Sequence, residues 1–128
     1  MCVIQLSLIE SMHPIKDLKV YQKAFRLSIL VYKITKSFPK EELFGLTSQM
    51  RRCAVSIPSN ISEGKGRYSQ KDYAWFLSIA RGSLFELQTQ LDIATELQYI
   101  TDRESLNISL ALIDEIGRML TSMIRKLS

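Results

Sequence analysis

The sequence predicts an all-α protein, an antiparallel up-down-up-down four-helix bundle. Three observations carry that reading. Apolar residues recur at alternating spacings of four and three along four separate segments, the period of helices buried on one side. No stretch shows the apolar–polar alternation and turn residues of a hairpin. With only 5 Gly and 3 Pro in 128 residues, there is little room for a loop-rich fold. Helices joined by short connections pack in turn, each antiparallel to the last.

The first segment runs from Asp17 to Phe38. Val20, Ala24, Leu27, Val31, Ile34 and Phe38 form its inner stripe, widened by Leu18, Tyr21, Phe25, Ile29 and Tyr32. Asp17 is the expected N-cap, since its carboxylate can accept the free amides of a first turn. Pro39 closes the segment, because a residue before proline avoids helical angles.

The second segment begins near Lys40-Glu41-Glu42, whose acids complement the positive end of a helix dipole. Leu43, Leu46, Met50, Cys53, Ile57 and Ile61 mark its buried stripe. Pro58 removes a hydrogen bond to Ala54 and crowds that carbonyl, so the helix either kinks there or ends near Ser56. The spacing continues to Ile61, which favours the kink. Gly64 or Gly66 is then expected to supply the left-handed residue that stops the helix.

Ser69 and Asp72 form a capping pair for the third segment. Its main stripe is Tyr73, Phe76, Ala80, Leu84, Leu87, Leu91 and Ala94, with Trp75, Ile79 and Gly82 beside it. The fourth opens on Thr101-Asp102-Arg103-Glu104, a capping-box pattern between Thr101 and Glu104. It continues as Leu106, Leu110, Ile113, Gly117, Leu120, Ile124 and Leu127, with Ile108, Leu112, Ile116, Met119 and Met123 off that line. The third and fourth segments carry more apolar surface than one small core needs. Oligomerisation uses the excess, with Trp75, Ile79, Ile108, Leu112 and Met119 as interface candidates.

The chain reads as one domain over residues 12–128, preceded by an extension, residues 1–11, with Met12 as a possible natural start. Cys2 and Cys53 make no disulfide framework, and Cys53 reads as a small buried hydrophobe. The N-terminus lacks a secretory signal, and no apolar run of membrane-spanning length occurs; the cytoplasm is the expected compartment, with no membrane partner.

Charge is unevenly placed. Residues 1–71 carry 12 Lys and Arg against 5 Asp and Glu, whereas residues 72–128 carry 5 against 8. Such a basic half suits a polyanion or an acidic protein, and equally an ordinary solvated face. Lys16, Lys19, Lys23, Arg26 and Lys33 share about a third of the first helix's circumference. Arg51 and Arg52 add two charges on the second. Aromatic neighbours such as Tyr21 and Tyr32 are compatible with RNA binding.

The corner "SIPSNISEGKGRYSQKD" between the second and third segments poses the question of catalysis. Lys65-Gly66 lacks the glycine spacing and following Ser/Thr of a P-loop, and Gly64-Lys65-Gly66 lacks the third glycine of a dinucleotide loop. His13 has no metal-spaced partner, and no acid–base pair or Ser–His or Cys–His pair is evident. The expectation is no enzyme, no metal and no cofactor. Asn60, Ser62 and Glu63 would satisfy the backbone groups that Pro58 and the helix end leave free, while Lys65, Arg67 and Lys71 surround the next helix's positive end. A plain turn and a phosphate-docking corner both fit.

The run "IKDLKVYQKAFRLSILVYKITKSFPKEELFGLTSQMRRCAVSIPSNISEGKGR", followed by "FLSIARGSLFELQTQLDIA", resembles the four-helix-bundle family named for the 23S rRNA intervening sequence. Phe38-Pro39, Gly45-Leu46, Gln49, Arg51-Arg52, Ser56-Ile57-Pro58, Asn60-Ile61 and Glu63-Gly64 carry the match, from about Ile15 to the C-terminus. Ser62 stands where the family commonly has alanine. The resemblance implies a four-helix protomer assembled into a ring-shaped homopentamer. It extends to the accessory protein of diversity-generating retroelements, which implies contact with nucleic acid and a reverse transcriptase. Two functions follow as expectations. The first is a non-enzymatic module binding RNA, such as rRNA, or a ribonucleoprotein. The second is an adaptor whose ring holds another protein.

Overall fold

The computed structural model of the protein describes residue 15 and residues 18–128. The extension 1–11, His13, Lys16 and the expected cap Asp17 lie outside these residues.

Four helices form, α1 (Lys19–Thr35), α2 (Leu46–Lys65), α3 (Gln70–Glu96) and α4 (Arg103–Leu127). Among the described residues there is no strand. Each helix packs against its neighbours in sequence, and α4 closes back on α1. That closed order is the expected four-helix bundle. Its centre is filled by side chains from all four helices, including Leu27, Ile34, Met50, Ile57, Leu84 and Ile116.

Several boundaries differ from the sequence reading, each for a local reason. Helix α1 stops at Thr35, although Phe38 beyond it is still buried. Helix α2 starts at Leu46 rather than near Lys40, because Gly45 has non-helical angles (φ −112°, ψ −114°). Lys40–Glu42 instead makes one 3₁₀ turn. The Glu42 carboxylate still serves the helix start, accepting the Leu46 amide at 3.1 Å. At α4 the cap is Asp102 rather than Thr101. Its carboxylate accepts the Ser105 amide (3.0 Å) and the Ser105 hydroxyl (2.7 Å). Ser69 caps α3 as expected, accepting the Asp72 amide at 3.1 Å.

Helix α2 continues through Pro58 to Lys65. Proline has no amide hydrogen, so the buried Ala54 carbonyl loses its helical donor. Ser28 on α1 supplies the replacement, its hydroxyl donating to Ala54 O at 2.9 Å. The expected helpers Asn60, Ser62 and Glu63 do not fill that role: the Asn60 amide donates to Ser56 O.

Neither Gly64 nor Gly66 is left-handed; Gly66 closes the helix at φ −80°, ψ −3°. Gly64 is needed for a different reason. A Cβ there would stand 2.8 Å from Phe76 Cβ and 3.0 Å from Tyr73 Cδ1, so its lack of a side chain lets α3 cross close to α2. Among the described residues the left-handed position is Gln98 (φ 62°), just after α3.

On α3, Leu77 is buried while Tyr73 and Phe76 are half-buried, which rotates the buried face slightly from the expected stripe. On α4 both apolar lines turn inward, because the helix is flanked by α1 and α3. Leu112 is therefore in the protomer's own core and leaves the interface set. Ile108 and Met119 are partly buried against that core. Trp75 remains 60% exposed, and Ile79 is half-buried.

Candidate nucleic-acid interface

The basic residues fall on three surfaces. The first is the outer side of α1, with Lys19, Lys23, Arg26 and Lys33. It does not stand alone, because acids of α4 meet it. Lys23 Nζ pairs with Glu115 at 2.9 Å. Arg26 and Lys33 share a shallow groove with Asp102, Glu104, Ser105 and Ile108. The two hydrogen bonds from Ser105 hold the Asp102 carboxyl below its ordinary range, with a smaller contribution from the Lys33 charge. Much of this face is locally balanced.

The second surface is a cleft of about 500 Å³ between α1 and the start of α2, and it carries no acid. It is lined by Tyr32, Leu43, Phe44, Thr47, Ser48, Arg51, Arg52 and Val55. The Arg51 guanidinium lies over the Tyr32 ring, 4.7 Å from its centroid. Its Nε donates to the buried Thr35 hydroxyl at 2.9 Å, so the cation is held in place from below. Arg52 is exposed. Phe44 is 94% exposed, and Leu43 and Val55 are about half exposed.

The nearby Glu42 is committed elsewhere: besides the Leu46 amide, it accepts the Tyr99 hydroxyl at 3.1 Å. That bond raises the Tyr99 hydroxyl's pKa. Ser37 donates to Tyr99 O at 2.8 Å, and the Tyr99 ring tilts against Phe38. The turn bearing Leu43 and Phe44 is thus tied to the connection between α3 and α4.

The third surface is the corner between α2 and α3. Arg67 pairs with Glu63 at 2.6 Å and lies over the Phe76 ring at 4.7 Å. Lys65 lies 5.9 Å from the Tyr73 ring centroid. Lys71 and Tyr68 are exposed. Two of the three corner cations are already engaged with the protein's own rings.

Sequence reasoning selected Arg51, Arg52 and Tyr32, but not their grouping with Phe44 and Val55, and it placed Leu43 in the core. A usable signal existed. Phe44 before Gly45 and Val55 on α2 are large apolar residues off the buried period, which marks them for the surface, whereas Leu43 lies on that period, three residues before Leu46.

Cys53 is a buried free thiol. Burial pushes its thiol up to about 12, and it donates to Ser83 O at 3.0 Å. Among the described residues no group of acids, His and Cys is arranged to hold a metal, and no helix is long and apolar enough to cross a membrane.

The family model of the 23S rRNA-intervening sequence proteins matches residues 16–122. The chain belongs to this family. A crystal structure of a protein of unknown function from the S23 ribosomal protein family of Bacteroides thetaiotaomicron is similar, with a TM-score of 0.72 at 26% identity. The match covers 83% of this chain and 95% of that one. No curated protein matches the chain. In this intervening-sequence protein, the motif residues Arg51-Arg52 border the cleft. Ser56-Ile57-Pro58 and Glu63-Gly64 lie further along the same helix, where α3 packs against it.

Proposed function

We propose that this protein is a non-enzymatic, homo-oligomeric RNA-binding module. The observation that carries the reading is the pair Arg51 and Arg52, neither in an ion pair among the described residues, beside exposed aromatic and apolar side chains. Guanidiniums match phosphate geometry, and exposed rings offer stacking surfaces to bases. The exposed Lys19 and Lys71 extend positive charge away from the cleft.

Filter binding with 23S rRNA fragments tests the reading. Retention at low salt should fall steeply as salt rises, because phosphate contacts release counterions. Charge reversal at Arg51 and Arg52 should weaken retention more than reversal at Lys19, Lys23 and Arg26, since Lys23 is already paired. No retention at low salt would end the proposal.

The outer face of α3 favours assembly and supports a second reading. Trp75, Ile79, Gly82, Ile93 and Leu97 fall within about 60° of arc on one flank of α3, with the exposed Glu86 among them. Trp75, Ile93 and Leu97 are each about half exposed or more. Burying such a seam recovers roughly 25 cal/mol per Å² of apolar area, and closed symmetry buries it identically in every copy. Five copies is the number that the family resemblance implies. Sedimentation equilibrium tests it against the 14.7 kDa chain mass. A ring whose apolar seam holds another protein, such as a reverse transcriptase, is the adaptor alternative; a pull-down recovering that protein without RNA would favour it.

A further inference from the structure

We propose that the α1–α2 cleft takes a single-stranded RNA segment, stacking an unpaired base on Phe44 and holding the flanking phosphates with Arg51 and Arg52. This rests on the RNA-binding reading and narrows it to one ligand class and one site.

The chemistry of the lining selects the ligand. A duplex presents phosphates and groove edges, while its base faces are stacked away; an exposed ring gains from RNA only where a base is free. Phe44 projects almost wholly into solvent at 94% exposure, with Leu43 and Val55 beside it. Such surface is costly to leave in water unless something covers it.

The charge in the cleft is local and positive. Arg51 and Arg52 are sequence neighbours at its edge, and neither is in an ion pair among the described residues, although Arg52 also borders a second groove that holds Glu86. Arg51 is also pre-positioned. Tyr32 lies beneath its guanidinium and the Thr35 hydroxyl takes its Nε, so its terminal NH₂ groups stay available to a phosphate. The Ser48 side chain lines the same wall and can donate or accept. The other basic surfaces, which a duplex would track, are offset by Glu115, Asp102, Glu104 and Glu63. Charge complementarity thus favours one short strand in the cleft over a duplex laid along the bundle.

The test uses the full chain in fluorescence anisotropy, with a labelled oligouridylate and an RNA hairpin duplex of equal nucleotide count. Phe44→Ala is the central variant, because so exposed a side chain can be removed without unfolding the protein; circular dichroism confirms this. Oligouridylate should bind more tightly than duplex, and Phe44→Ala should weaken it about tenfold while leaving duplex affinity unchanged. Arg52→Gln should lower the salt slope of oligouridylate binding by about 0.7. Equal effects of Phe44→Ala on both RNAs, or none, would overturn the cleft assignment while RNA binding itself stands. No binding of either RNA by the unmodified protein would overturn the functional reading as well. A drop in sedimentation mass on Phe44→Ala would also overturn the proposal, by showing that a second copy covers the cleft.

Discussion

Replacing Ser28 with alanine should cost far more in the natural protein than in a Pro58→Ala background. In the natural chain Ala54 is fully buried and its carbonyl has no helical donor, because residue 58 is proline. Ser28 Oγ, 2.9 Å away on α1, provides the hydrogen. The Ser28 hydroxyl also lies 3.1 Å from Ala24 O, but that carbonyl already takes the Ser28 amide within α1. Ser28→Ala therefore leaves one buried carbonyl unsatisfied, which costs about 1–3 kcal/mol. Pro58→Ala restores an amide that can donate to Ala54 O, while losing the packing of a buried ring. Those effects oppose each other, so the single change should stay within about 1 kcal/mol of neutral. With the amide restored, Ser28→Ala should cost under about 1 kcal/mol. The double-mutant cycle should then return a coupling of about 1–2 kcal/mol, well above the scatter of independent sites. Urea unfolding followed by circular dichroism, at one fixed protomer concentration, measures all four corners. An equal cost of Ser28→Ala in both backgrounds would refute the claim that the hydroxyl replaces the missing amide.

Gly64→Ala should destabilise by about 1–2 kcal/mol despite alanine's better helix propensity, because the added Cβ meets Phe76 Cβ, an atom fixed to the α3 backbone. Gly66→Ala, whose Cβ would find nothing closer than 3.6 Å, is the control and should be neutral or stabilising in the same urea assay. Gly82→Ala meets nothing within 4 Å and should stabilise the protomer by about 1 kcal/mol. If the outer face of α3 is the assembly seam, the same change should lower the sedimentation mass. Asp102→Ala should lower the urea midpoint at neutral pH by removing the α4 cap. Because Ser105 depresses the Asp102 pKa, this stabilisation is present above the ordinary value of 3.8 and fades as pH falls through the lower folded value. The gap between natural protein and variant should therefore close in acid. Cys53, with its thiol pushed up to about 12, should resist iodoacetamide at mildly alkaline pH until urea is added, read from the mass of its peptide.

The sequence by itself determined four helices, their order and most of the core, because the 3.6-residue period of apolar side chains is a local property that burial enforces segment by segment. It also determined the Ser69 cap, whose hydroxyl needs only an amide three residues ahead. Other caps slipped: two oxygen-bearing residues stand side by side at Thr101-Asp102, and the final geometry chose the carboxylate. The cleft was half legible. Arg51 and Arg52 stood out as charge, but Tyr32 beneath Arg51 and Phe44 beside them come from different elements. Only the tertiary structure decided such meetings. Periodicity states which side of a helix is apolar, but not how far α2 stands from α3. That separation decides Gly64's role, and the packing of α1 on α2 places Ser28 against Ala54. Nor could it assign Leu112 to the protomer core, since two apolar lines on one helix look alike until α1 and α3 close over both.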